Sequence, residues 1–137
     1  MALGLVNHLS LAVSDFRKSR DFYKPMMSFL GYIVAEEGND WVLWRRQDGI
    51  GDLILSQSPA NLVSDHHVRE APGFHHLAFN ADNRSQVDDF FQNILLKYRM
   101  KVLDPPCDCP EYSPGYYAVF FEDPDGMKLE LAYTPNQ

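Results

Sequence analysis

Two hydrophobic rhythms alternate along the chain, and the alternation occurs twice. Residues 7–13 place β-forming side chains between polar flanks and predict a strand. Ser14-Asp15 is a helix start signal. Phe16, Ser19, Phe22, Tyr23, Met26 and Met27 then recur at helical spacing, which predicts a helix over residues 15–30. Pro25 lies inside that pattern, where its missing N–H favours a kink, and Gly31 is placed to cap the end. Strands are expected over residues 32–36, 40–45 and 52–57, with Gly38-Asn39 and Asp48-Gly49 as turns.

The second half repeats this order. Residues 75–81 predict a strand, and residues 85–98 a helix whose apolar face carries Val87, Phe90, Phe91, Ile94 and Leu95. Strands follow over residues 100–103, 116–122 and 128–133, with Asp123-Pro-Asp-Gly126 as a turn. Shifting the chain by 68 positions lays His8–Tyr23 on His76–Phe91 without a gap. His8 meets His76, Leu9 meets Leu77, Asp21 meets Asp89 and Phe22 meets Phe90. The expectation is one domain over residues 1–137, built from module one (about 4–58), a linker (about 59–73) and module two (about 74–134). Each module is βαβββ. One helix cannot cover a sheet of that size alone, so two modules must pair, within the chain or between two chains, into an α+β fold.

Composition narrows the function classes. With 45% hydrophobic and 23% charged residues in 137, the chain has enough apolar mass for a core, which excludes disorder. Twelve basic against 19 acidic residues give a net charge of -7, which argues against nucleic acid or an anionic membrane as partner. No apolar run approaches the ~20 residues of a membrane span, and the opening MALGLVNHLS lacks the basic n-region of a signal peptide. Two cysteines are no disulfide framework, so a reducing cytoplasmic setting is expected. Cys107 and Cys109 are read as surface thiols in the loop 104–115, which also holds four of the nine prolines, rather than as a soft-metal site.

A repeated βαβββ unit opening each half on a strand histidine resembles the vicinal oxygen chelate superfamily. That superfamily holds glyoxalase I, bleomycin-resistance proteins, fosfomycin-resistance thiol transferases and extradiol ring-cleaving dioxygenases. The most specific match is Asp123-Pro-Asp-Gly-Met-Lys-Leu-Glu130-Leu, close to the superfamily's closing segment. His76-Leu-Ala-Phe matches the opening of module two, and Asp15-Phe-Arg-Lys-Ser-Arg-Asp-Phe-Tyr23 the first-helix segment. The resemblance spans nearly the whole chain. It implies paired modules curling their sheets into a cup, with a divalent metal held inside by residues of first and last strands. Carried over residue by residue, those ligands are His8, His76 and Glu130. It also implies a homodimer, a small-molecule substrate, and a glyoxalase-like lyase or isomerase or an extradiol-type dioxygenase.

The ligand set makes chemical sense on its own. Two imidazoles and a carboxylate suit Fe, Mn, Ni, Co or Zn as divalent ions, and three protein ligands leave positions open for substrate. Alternation along the last strand puts Lys128, Glu130 and Ala132 on one face and Leu129, Leu131 and Tyr133 on the other. The repeat register selects His76 over His75, which alternation sends to the opposite face.

One departure matters. Glyoxalase I carries a further acidic or amide ligand on the last strand of module one, and here that strand reads Asp52-Leu-Ile-Leu-Ser-Gln57. Ile54 takes the matching position, so lactoylglutathione lyase activity is disfavoured. Gln57 could substitute only if the register slipped. Tyr116, at a strand start beside a loop, is the other candidate catalytic group, and Trp44, Arg45, Tyr112 and Tyr116 are candidate substrate contacts. The competing reading is a bleomycin-resistance-type binding module that sequesters a small molecule and needs no metal.

Overall fold

Short apolar strands separated by single amphipathic helices give two units, Met1–Asp65 and His66–Gln137, each with its own sheet. The computed structural model describes residues 3–63 and 65–135.

In the first unit the elements are β1 (His8–Val13), α1 (Phe16–Phe29), β2 (Tyr32–Glu37), β3 (Trp41–Arg46) and β4 (Asp52–Gln57). The sheet order is β1-β4-β3-β2, with β1 parallel to β4 and the other pairs antiparallel. Helix α1 starts where expected. The Asp15 side chain accepts from the Lys18 amide, satisfying one of the N–H groups a helix start leaves free. Pro25 stands inside α1 without ending it. Phe16, Ser19, Tyr23, Met26 and Met27 form the buried stripe. Against it lie Leu11, Val13, Val42, Trp44, Leu53 and Leu55, all buried. The alternate residues, including His8, Ser10, Ala12 and Arg45, take the other face of the sheet and are exposed.

The second unit has β5 (His76–Ala81), α2 (Arg84–Phe90), a π-helical continuation (Phe91–Leu96), β6 (Lys101–Asp108), β7 (Tyr117–Glu122) and β8 (Lys128–Tyr133). Its order, β5-β8-β7-β6, and its parallel β5–β8 pair repeat those of the first unit. The Asn83 side chain caps α2 on the Gln86 amide at 2.9 Å. Val87, Phe90, Ile94 and Leu95 are buried, with Phe90 and Phe121 rings 5.4 Å apart.

Three local outcomes differ from the sequence expectation. The helix expected over 85–98 is α-helical only to Phe90 and then widens into a π-turn. The strand expected over 100–103 runs on to Asp108, through Pro105 and Pro106. Edge strands tolerate proline, because one side of the ladder has no partner, and the pairing with β7 shifts register at Val102/Asp104 and Asp104/Cys107. The cysteines are consequently not surface thiols. Cys109 is buried and Cys107 half-buried, in a cluster with Ala118, Phe120 and Ala132.

Candidate functional site

Strand register carries the internal repeat into three dimensions. In the first unit His8 pairs with Asp52 and Ser10 with Ile54. In the second His76 pairs with Lys128 and Ala78 with Glu130. Ile54 is thus the structural counterpart of Glu130, the position the resemblance assigned to it, and the first unit has no carboxylate there.

In the second unit, His76 and Glu130 share the sheet face turned away from α2. Strand β5 begins at His76, and β8 presents Glu130 one pleat further along the neighbouring strand. His76 Nε2 stands 3.4 Å from Glu130 Oε1. Glu130 is only 2% exposed. A carboxylate so placed needs partners, because burial of an unpaired charge is costly. Its second oxygen, Oε2, accepts a short hydrogen bond from the Tyr116 phenol. Burial, and then this bond to Glu130, push the Tyr116 pKa well up, so the phenol keeps its proton. Burial pulls the His76 pKa down and outweighs the opposing pull of Glu130, with Lys128, His75 and Arg69 adding to the lowering. The neutral imidazole, the form that binds metals, is thereby favoured.

His75 behaves differently from the expectation of an opposite-facing residue. It precedes β5, so the pleat does not govern it. Its Nδ1 lies 2.7 Å from His76 Nδ1, and the ring centroids are 4.9 Å apart. Its Nε2 reaches Glu70 at 3.3 Å. One imidazole thus holds the rear nitrogen of the other, leaving His76 Nε2 toward Glu130. A second hydrogen-bonded group orients metal-binding histidines in the same way, with a carboxylate, carbonyl or water where His75 stands here.

The donor geometry suits a metal. Two ligand atoms about 2.1 Å from one ion at a tetrahedral angle stand about 3.4 Å apart, the separation found between His76 Nε2 and Glu130 Oε1. Among the described residues no group of three His, Cys, Asp or Glu converges on one point.

The remaining candidates are placed as follows. His8 is exposed at the start of β1, and its Nδ1 lies 2.8 Å from Asn7 Oδ1. Trp44 is corrected: it is 2% exposed and packs on Tyr23 of α1 with ring centroids 6.2 Å apart, so it belongs to the helix-side core rather than to a substrate wall. Trp41, three residues earlier and on the opposite face, lies half-buried against Gly38. Gln57 is corrected too. Its Oε1 accepts from the Phe16 amide at 2.8 Å and its Nε2 donates to Ser14 O at 2.8 Å and Ser58 O at 3.0 Å. It fastens β4 to the start of α1 with its amide engaged at both ends, and the β1–β4 register does not slip. Arg45 forms a forked ion pair with Asp52, Nη2 to Oδ2 at 2.8 Å. Tyr112 is exposed and stacks edge-on with Tyr116 at 5.2 Å.

The Asp123-Pro-Asp-Gly turn earns its place by supporting β8. Buried Asp123 accepts from the amides of Asp125 and Met127, both at 2.9 Å. Gly126 adopts φ +81°, and a Cβ there would meet the His66 ring at 2.5 Å. His67 donates its amide to Asp125 O at 2.8 Å, and its Nε2 lies 2.7 Å from Phe74 O. The segment before β5 is thereby tied to the turn that launches Glu130.

A repeated βαβββ unit with a histidine opening β5 and a carboxylate on β8 defines a class, and comparison with known proteins agrees. The profile of the Glyoxalase/Bleomycin resistance protein/Dioxygenase superfamily matches residues 5–131, and the chain belongs to that superfamily. It is 32% identical to the uncharacterized protein YqjT of Bacillus subtilis, over 92% of this chain and 96% of that one. It is 30% identical to the uncharacterized protein YaeR of Escherichia coli, over 96% and 97% respectively. A crystal structure from Bacillus halodurans that carries the glyoxalase name provisionally superposes with a TM-score of 0.82 at 25% identity, covering 96% of this chain and 97% of that one. Among the described residues no helix is long and apolar enough to cross a membrane.

Proposed function

We propose that the chain is a metal-dependent enzyme that binds a small oxygen-bearing substrate on a divalent ion (Fe, Mn, Ni, Co or Zn) held by His8, His76 and Glu130. The observation that carries this reading is the 3.4 Å approach of His76 Nε2 to a carboxylate that is 2% exposed. His8 enters by equivalence: it opens β1 in the register in which His76 opens β5.

A bound divalent ion supplies Lewis-acid polarisation to a substrate oxygen, and two adjacent oxygens can chelate it together. The protein's own groups do the rest. Tyr116 holds Oε2 of Glu130 and so orients Oε1, while its phenol retains the proton. His75 fixes the His76 ring from behind. The reaction class is a glyoxalase-like lyase or isomerase, or a ring-cleaving dioxygenase. Lactoylglutathione lyase chemistry is not proposed, because Ile54 stands where a further acidic ligand and proton acceptor would be needed. The working form proposed is a cytoplasmic homodimer, for which light scattering should give twice the mass of one chain.

The test is metal content after purification without chelator and loading with each of the five ions. Wild type should retain one ion per chain. His76→Ala should lose it, while His75→Ala, which removes only the rear support, should bind about 10–100-fold more weakly. Wild-type protein that retains no ion would overturn the enzyme reading and leave metal-free sequestration of a small molecule in its place.

A further inference from the structure

The proposed centre at His76 and Glu130 leaves unused one other cluster of metal-ligating side chains. Cys107, in β6, and Cys109, one residue past its end, point to the same side of the chain because side chains two apart in extended backbone do so. The extended course continues through Cys109, whose amide donates to Tyr116 O at 2.8 Å. The two Sγ atoms stand 3.8 Å apart. Ala118, Phe120 and Ala132 form an apolar floor around them. Cys109 is 4% exposed, while half-buried Cys107 leaves a way in from solvent.

We propose that Cys107 and Cys109 form a two-sulfur clamp for a soft d10 cation, separate from the nitrogen and oxygen ligands of the proposed centre. The distance selects this use. Two thiolates bound at about 2.3 Å to one ion at a tetrahedral angle stand about 3.8 Å apart. A disulfide needs sulfurs at about 2.05 Å. Extended backbone places Cα atoms two residues apart about 6.6 Å from each other, near the outer limit for a disulfide. A bridging atom therefore fits the sulfur separation as it stands, where a direct sulfur–sulfur bond requires the two side chains to close up. Thiolates prefer soft cations, and the oxygens nearest the two sulfurs are the neutral backbone carbonyls of Ala118 and Cys107, each 3.8 Å from one sulfur. Binding breaks two S–H bonds and forms two S–metal bonds. One proton leaves each sulfur to solvent, and no electron is transferred. Among the described residues no third His, Cys, Asp or Glu completes the set, so water or a small-molecule thiol fills the remaining positions.

Titration of the reduced protein with Cd(II) tests this through the ultraviolet charge-transfer band of cadmium thiolates. Wild type should develop the band to saturation at one cadmium per chain and lose it in Cys107→Ala and in Cys109→Ala. His76→Ala should keep the full band, so failure of the proposed catalytic centre and failure of the clamp give different results. Saturating Cd(II) should also slow the reaction of half-buried Cys107 with N-ethylmaleimide in wild type, a readout that needs no variant to fold. Absence of the band in wild type, or its persistence at full strength in either single cysteine variant, would overturn the clamp. So would reversible loss of two hydrogens on treatment with oxidised glutathione in a protein that gives no band with Cd(II).

Discussion

The two units share a scaffold and differ in what their sheets display. Toward the helices they are alike: Tyr23, Met26 and Met27 in the first and Phe90, Ile94 and Leu95 in the second bury their side chains on one sheet face. On the other face they diverge. At the position where the second unit has Glu130, held by Tyr116 and His76, the first has Ile54. At the position of Lys128, whose ammonium lies 4.7 Å over the Phe120 ring, the first has Asp52 in an ion pair with Arg45. Packing thus constrains one face of each sheet, and chemistry has been distributed unequally over the other.

The strongest challenge to that division is a helix-side truncation. Phe90→Ala removes a fully buried ring and should cost about 3–5 kcal/mol. Met27→Ala, in the first unit, should cost about 2–5 kcal/mol. Urea unfolding should show both as large losses. A negligible effect of either would mean that the two helix faces are not equivalent cores.

Gln57→Ala addresses the first unit alone. It leaves the Phe16 amide without its acceptor and the Ser14 and Ser58 carbonyls without their donor. A loss of about 1–3 kcal/mol in stability is expected, with metal content unchanged. Lost metal with unchanged stability would restore Gln57 as a ligand.

Arg99 sharpens the comparison where the units differ in backbone chemistry. It lies 68 residues after Gly31, at the same point beyond the helix, and both adopt positive φ, 55° and 87°. Glycine is at ease there and arginine is not. Arg99→Gly should therefore raise stability by about 1 kcal/mol, read as a higher denaturant midpoint.

The smallest expected effect is electrostatic. A hydrogen bond from the Tyr117 phenol to Asp88 at 2.6 Å, followed by burial, pushes the Tyr117 pKa up to about 12. The folded state holds this proton more tightly than the unfolded chain, so the contribution is present below the ordinary tyrosine range. It disappears as pH rises through the folded value. Asp88→Ala should return the alkaline ultraviolet titration of Tyr117 toward ordinary tyrosine and flatten that part of the stability profile. An unmoved titration would deny the bond.

Much of this was legible in the sequence, for physical reasons. The repeat made His8 equivalent to His76, because both halves run without a gap through the first strand and helix. The equivalence of Ile54 with Glu130 lies beyond that gap-free stretch, came from the resemblance, and is given in the structure by the strand pairing. The helix stripes followed from 3.6-residue spacing. What escaped depends on contacts between residues far apart in the chain. Nothing local tells Trp44 from Trp41, since alternation separates their faces without saying which face the helix covers. Gln57 looks like a free amide until the start of α1 is seen to close on it. The proline pair in β6 reads as a loop because its edge position is a property of the sheet. Tyr116 was visible as a residue at a strand start, but its bond to Glu130 spans 14 residues.

Metal content of Glu130→Leu beside wild type tests the central claim most directly. The substitution leaves the Tyr116 phenol without its acceptor, at a cost of about 1–3 kcal/mol, so metal is read on variant protein whose circular dichroism and cooperative unfolding show it folded. The account predicts one divalent ion per chain in loaded wild type and none in a folded Glu130→Leu variant. Equal metal in the two would contradict it.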